Sequence, residues 1–482
     1  MSSLYFIALP LLFGFAVPII TRFGKNSVAY TSTLMQLGLF GLALLLLNTR
    51  AVEVIAINPP LGISFVLNEV SMLFVLLFTF LMLCFSIYYL QMRKSHAYAS
   101  ENKFFILINM LLASAIGLVL SSDIFNIYVF FEIAGVSAYI LSAYHKNAKA
   151  LEAGIKYLIT GMVASVFLVF GIALIYIHLG SLNLALLSQS FGTLSPDMKL
   201  LISLLLLVGF GFKVEIFPLN FWVTDVYEGS STPINALFSA IVVKAYLFVF
   251  FHLYYLFVPD AIYSHLLVTI GAVSMIVAEI VALKQTNLKR VFAYSSLGQV
   301  GLIFALFALE NTQAIIAGLY IVIAHSLAKF IIFLSITSIE RRYESVDISV
   351  LRRVQSPFMV AIVLVAMLSL LGLPPLLGFT GKFLGLSSMA MSGEFLLLVV
   401  VVVASLIESV YYFKIAGGLL HKSDEREPLG LSLVEKVIFA LLALLLIVLG
   451  LVPWIVSGFI HQGATIMLDS VLYNASLLGG AL

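Results

Sequence analysis

Four lysines, a glutamate and a histidine lie inside stretches of the chain that are otherwise apolar: Glu132, Lys213, Lys244, His325, Lys329 and Lys382. An ionised side chain in hydrocarbon costs several kcal/mol on insertion scales, so each of these residues needs a function or a partner. The chemistry that suits them is proton transfer. Desolvation weakens the hold of a lysine on its proton, and a nearby carboxylate strengthens it. A Glu132–Lys213 pair therefore gives a lysine whose proton affinity depends on how close its partner stands. His325 and Lys329 are one helical turn apart on the same face, which suits passage of a proton along one helix. Tyr294, Ser295, Ser296 and Gln299 add hydroxyl and amide groups that hold waters or serve as ordinary interhelical hydrogen bonds. Further carboxylates, Glu69, Glu215 and Glu408, are possible accessories. Taken singly, a lysine of this kind also reads as a structural ion pair or a snorkelling end, and His325 as a hydrogen-bonded core histidine. Six such positions in one chain weaken that reading, because ion pairing inside a bundle often fails to recover the desolvation cost.

The elements that hold these residues follow from composition. The chain has 482 residues, 62% apolar and only 10% charged, against roughly 25% charged in a soluble domain. That pattern excludes an ordinary soluble protein and predicts a single all-α polytopic membrane domain over 1–482. One cysteine, Cys84, leaves no disulfide framework, iron–sulfur ligand set or zinc cluster. The first residues lack a basic region ahead of the apolar run, so they read as a first span rather than a cleaved signal. About fourteen spans are expected, near 4–22, 28–48, 65–91, 103–120, 123–143, 153–179, 198–217, 232–257, 262–283, 291–309, 312–337, 357–391, 394–420 and 433–460.

Charge then sets the orientation. Of 25 lysines and arginines, seventeen lie in connections after odd-numbered spans, among them Arg93, Lys94, Lys146, Lys149, Lys289, Arg290, Arg341, Arg342, Arg352 and Arg353. Only Arg50 and Lys199 lie in the even-numbered connections. Positive charge is retained inside, so both termini are expected on the outer face. Lys156 and Lys414 sit near span ends, where they can snorkel.

Two spans look broken. Span 7 meets Pro218 just after Lys213, and span 12 carries Pro374, Pro375, Gly378 and Gly381 ahead of Lys382. Proline removes a backbone donor and kinks a helix. In a membrane such a break is tolerated where it faces protein or a wet cavity. Breaks five spans apart suggest two units of opposite topology, spans 4–8 (103–257) and 9–13 (262–420).

The stretch from Lys213 through FPLNFWVTDVYEGSSTPINALFSAIVVK to Lys244 closely resembles the signature of the antiporter-like proton-translocating subunits of respiratory complex I. The same family includes the large subunits of multisubunit Na+/H+ antiporters and of membrane-bound hydrogenases. SSDIFNIYVFFEI with Glu132, LKRVFAYSSLGQVG, AHSLAKFIIFL with His325 and Lys329, and GLPPLLGFTGKF with Lys382 agree with it, in order, over about residues 60–420. The resemblance implies fourteen core helices, inverted repeats over spans 4–8 and 9–13, and breaks in helices 7 and 12. It implies that Glu132 and Lys213 pair, that Lys244 connects, that His325 and Lys329 form a central relay, and that Lys382 is the terminal lysine. Asp225 and Thr232–Pro233 fall on motif positions with a structural role.

Within the family, DVYEG and Lys382 resemble the N-type subunit of complex I or the D-type antiporter subunit; HSLAKFIIFL is also similar to hydrogenase-type relatives. Glu69 stands where the family has an aspartate, and Glu215 and Glu408 are extra membrane carboxylates. The expected function is a cation-translocating subunit with no redox site and no cofactor of its own. It would sit in the inner (cytoplasmic) membrane of a prokaryote, in a complex with further antiporter-like subunits. Any flavin, iron–sulfur or NiFe centre would belong to those partners. H+, and Na+ as an open alternative, would be the ions; no nucleic acid is implied. The alternatives are a D-type Na+/H+ antiporter subunit without redox chemistry, and a scaffold that has lost transport.

Overall fold

The structure, a computed structural model, describes residues 2–24, 26–55, 62–93, 101–257, 261–421 and 427–469. Lys94 lies outside the described residues. Among the described residues, twelve helices are long and apolar enough to cross a membrane. They account for twelve of the fourteen expected spans. The other two are the broken ones. Span 7 is Pro196–Val214 followed by Val223–Gly229, and span 12 is Pro357–Leu371 followed by Leu377–Met391.

Burial sorts the spans into two classes. Span 8 (Thr232–Phe257), span 10 (Leu288–Ala308) and span 11 (Thr312–Tyr343) are almost wholly enclosed. Span 6 (Ala148–Leu179), span 9 (Tyr263–Ala282 in its apolar part), span 13 (Phe395–Leu420) and span 14 (Leu433–Leu451) keep broad exposed apolar faces. Such faces need no partner in lipid, whereas a polar group placed there would. Ionisable residues are therefore affordable only on faces turned toward the enclosed spans.

The two five-span units share a frame. Asp123 pairs with Asn183 across an isolated antiparallel bridge, and Asn287 pairs with Asp347 in the same way. Both bridges are closed by matching bonds: Ile124 N to Leu182 O (2.9 Å) and Leu184 N to Ser122 O (3.0 Å), then Leu288 N to Val346 O (2.7 Å) and Ile348 N to Thr286 O (2.8 Å). A shift of 164 residues carries one set onto the other (123 to 287, 183 to 347). The same shift carries span 6 onto span 11, both 32 residues long and both capped by an asparagine side chain, Asn147 and Asn311. Because each unit holds an odd number of spans, the second runs opposite to the first.

Four expected boundaries differ by four residues or more. Span 6 starts at Ala148 rather than 153, and span 11 runs to Tyr343 rather than 337. Span 3 is expected from 65, yet its helix is Glu69–Met92; Ile63–Leu67 is instead a strand paired antiparallel with Ala51–Ile55. Asn68 sets that start with a capping box: its side chain accepts from Ser71 N at 3.0 Å, and the Ser71 hydroxyl accepts from Asn68 N at 2.9 Å. Span 14 is expected to run to 460 but ends at Leu451, and Trp454–Leu468 is a separate helix packed on span 3. Pro453 is the reason: the residue before a proline is driven out of helical geometry, and Val452 sits at φ −128°, ψ 56°.

Candidate functional site

The first half places Lys213 at the last turn of a helix that cannot continue. Glu215 takes the left-handed conformation, φ 68°, and closes the helix through its N–H to Gly211. That conformation costs a non-glycine residue about 1–2 kcal/mol. Beyond the break, Phe217 N donates to Ser274 Oγ of span 9 at 2.9 Å, so an orphaned amide is satisfied. Lys213 points into a box of aromatic rings. Its Nζ donates to Tyr139 Oη at 2.5 Å and lies 4.5 Å from the Tyr139 ring centroid, 4.8 Å from Tyr157 and 5.4 Å from Phe131. Cation–π attraction of this kind is worth about 2 kcal/mol when desolvated. Glu132 is the charge that acts on Lys213, but among the described residues it makes no ion pair with it, and Glu132 Oε1 is buried without a hydrogen-bond partner. The expected pair is thus a near pair, with the ammonium bonded to Tyr139 instead of to the carboxylate.

Glu215 and Lys244 follow. Each is buried, each is the charge that acts on the other, and neither Glu215 Oε2 nor Lys244 Nζ has a hydrogen-bond partner. Lys244 stands just after a π-helical stretch, Phe238–Val242, which interrupts span 8. The Ala240 carbonyl accepts from Ser326 Oγ of span 11 at 3.0 Å. π-Bulges recur at functional sites because they re-aim a side chain at small cost.

His325 is enclosed completely, and both of its ring nitrogens lack hydrogen-bond partners. Its electrostatic neighbours are Lys244 and Lys329, so it stands between the two halves. Lys329 donates to Ser295 Oγ at 2.6 Å and to the Phe292 carbonyl at 3.1 Å. Ser295 Oγ in turn is 2.7 Å from Tyr412 Oη. Lys382, just after the break in span 12, forms an ion pair with Glu408 Oε2 at 3.3 Å and donates to Ser405 Oγ at 3.2 Å. Gln299 Nε2 donates to both Glu408 oxygens at 2.9 Å and to the Leu370 carbonyl at 3.2 Å, one freed by the break.

The structure therefore brings Glu132, Lys213, Glu215, Lys244, His325, Lys329, Glu408 and Lys382 into one buried row. Two accessory candidates lie outside it. Glu69 heads span 3 and bonds to Arg50 at 2.5 Å. Tyr294 sits beside Thr224 Oγ1 at 3.5 Å, near the charged end of the bundle. That end is fastened by Asp225, which bonds to Lys156 at 2.7 Å and Arg290 at 2.9 Å, while Thr232 donates to Glu340. Lys156 is thus paired rather than merely snorkelling. Sequence reasoning missed the tyrosine box and one buried acid, Glu279 in span 9, which accepts from Tyr411 Oη at 2.7 Å. Its burial depends on packing that the sequence does not show.

Such a row is suited to proton transfer. Seven of its eight members are buried, both signs of charge are present, and Lys213, Lys329 and Lys382 donate to hydroxyls that can both donate and accept. No group of three or more metal-ligating side chains occurs among the described residues.

The sequence profile of the family described as NADH:quinone oxidoreductase/Mrp antiporter, transmembrane, matches residues 121–408, more than half of the chain. NADH-quinone oxidoreductase subunit N of Desulfitobacterium hafniense is 32% identical over 346 residues, covering 65% of this chain and 68% of that protein. A chain in the structure of the membrane-bound sulfane sulfur reductase, an archaeal respiratory membrane complex, superposes with TM-score 0.91 at 29% identity, covering 98% of this chain and 99% of the other. A chain of respiratory complex I from Thermus thermophilus superposes with TM-score 0.79 at 27% identity, covering 94% and 98%.

Proposed function

Because the chain belongs to the NADH:quinone oxidoreductase/Mrp antiporter transmembrane family, we propose that it is a proton-translocating, antiporter-like subunit of a redox-driven membrane complex. The observation that carries this reading is the buried row from Glu132 to Lys382. Glu132, Lys213, Lys244, His325, Lys329 and Lys382 carry the proton, with Glu215 and Glu408 as charge partners. The units 103–257 and 262–420 each supply half of the path. Flavin, iron–sulfur or NiFe centres belong to partner subunits; this chain binds none. Further antiporter-like subunits flank it in the inner membrane of a prokaryote, with both termini on the outer face. The names of the relative and of the two structural neighbours support a redox complex over a free-standing antiporter.

The test is purification of the complex from its native membrane, followed by reconstitution into vesicles. Flavin or iron–sulfur absorbance and proton movement on adding an electron donor are expected. A complex without redox absorbance that exchanges Na+ for H+ would overturn the redox reading in favour of the antiporter one.

A further inference from the structure

Glu279 is the one buried acid of the second half that the row above does not use. It sits on span 9, and its carboxylate lies over Gly298 of span 10, where any side chain would collide with Oε1. Tyr411 Oη fixes Oε2 at 2.7 Å. Four ionisable groups share this pocket: Glu279 from span 9, Lys329 from span 11, Lys382 from span 12 and Glu408 from span 13. The hydroxyls of Tyr411 and Tyr412 complete it. The two carboxylates are held differently. Glu408 has an ammonium at 3.3 Å and an amide donating to both oxygens at 2.9 Å. Glu279 has one phenol and, among the described residues, no ion pair. Two carboxylates in one buried pocket divide their roles when their surroundings differ in this way: the one with a cation and more donors stays ionised and the other trades a proton.

We propose that Glu279 is a further proton-carrying residue, a store that takes the proton leaving Lys329 before it reaches Lys382. In the loaded state both lysines are ammonium and both glutamates are carboxylate, so the four charges cancel. In the transfer, an N–H bond of the Lys329 ammonium breaks and an O–H bond forms on Glu279. The remaining Lys382 ammonium and Glu408 carboxylate still cancel. Charge in the pocket is therefore constant through the step, which removes the largest electrostatic penalty such a site can face. The hydrogen bonds from Lys329 to Ser295, at 2.6 Å, and from Ser295 to Tyr412, at 2.7 Å, lead to the ring that packs 4.9 Å from Tyr411. In the next step the Glu279 O–H breaks and recharges the Lys382 amine once that has released its own proton. At the matching position of the first half, 164 residues earlier, stands Ala115, so the store belongs to the second half alone.

This inference rests on the proton-translocating reading, and its test separates the two. Glu279→Gln keeps the acceptor for Tyr411 but cannot titrate; Glu279→Asp can. Both are compared with Lys213→Ala in the assembled complex in vesicles. Glu279→Gln is expected to lower pumping at least fivefold, with Glu279→Asp restoring at least half. Infrared difference spectra on turnover should show a protonated-carboxyl band that shifts in D2O and is absent from Glu279→Gln. If Lys213→Ala abolishes pumping while Glu279→Gln pumps normally, the store does not exist but the translocation reading stands. If the band persists in Glu279→Gln, or Gln and Asp fall equally, Glu279 is structural. If Lys213→Ala pumps normally, the reading itself fails.

Discussion

Spans 6 and 11 are the same helix in two settings. They have equal lengths, matching asparagine caps and a shift of 164 residues. Yet where span 11 carries His325 and Lys329, span 6 carries Gly161 and Ser165. The reason lies in what faces them. A side chain on Gly161 would run into the Tyr139 hydroxyl and come within 3.0 Å of Lys213 Nζ. The first half therefore carries a glycine on span 6 that admits Lys213 of the broken span, while its other deep lysine, Lys244, comes from span 8. The second half takes a lysine from the unbroken helix as well, and holds the broken-span lysine, Lys382, with a carboxylate instead of aromatic rings. Lys213 has its hydroxyl and rings, with its carboxylate partner at a distance; Lys382 is in ion-pair contact. The first arrangement leaves an ammonium free to change hands, and the second holds it until the charge of Glu408 is answered elsewhere.

The largest effect is expected at Lys213. Lys213→Ala should lower pumping more than tenfold in a complex that still assembles, since the box around it is apolar enough to close. Lys213→Arg should be nearly as damaging, because a guanidinium keeps its protons at any accessible pH. Normal pumping by Lys213→Arg would show that a fixed charge suffices and would erase the contrast between the halves.

Gly161→Ala comes next. Overpacking of this kind costs about 1–3 kcal/mol. A lowered melting temperature and a severalfold loss of pumping should follow, both relieved by Tyr139→Leu, which removes the hydroxyl in the way. If Tyr139→Leu gives no relief, the glycine serves something other than the Lys213 box. The corresponding residue of the second half needs no such space, so the two halves should respond to added volume differently.

Glu408→Gln should have a smaller effect at the pH optimum. It should change the pH profile of pumping, because Lys382 loses the carboxylate 3.3 Å from its ammonium. The shift should vanish in a Lys382→Ala background. An unchanged profile would mean that the 3.3 Å pair plays no part in turnover. The smallest effect on activity is expected from a topology probe. Val346→Cys in a Cys84→Ser background should resist an impermeant thiol reagent applied to whole cells, since the 341–353 arginine cluster is expected inside. Labelling there would invert the orientation assigned to both halves.

The sequence by itself determined the number and order of the spans, the two breaks, and the ionisable residues that had to be enclosed. Those are local matters: an apolar run of some twenty residues has one stable form in lipid, a proline ends it, and a charge within it cannot face hydrocarbon. Pairings were another matter. Glu408 and Lys382, 26 residues apart in sequence, were within reach of a sequence argument because adjacent antiparallel helices bring similar depths together, and the structure joins them. Glu69, read alongside them, turned out to serve Arg50 at a span start. What only the tertiary structure decided was which side chains meet: Tyr139 on Lys213, Gln299 on Glu408, and Glu279 over Gly298. These contacts join spans 5 and 7, 10 and 13, and 9 and 10, and they depend on helix rotation to within part of a turn. Rotation is set by the sum of packing over whole helix faces, which in a chain apolar on nearly every side leaves no periodic signal to read.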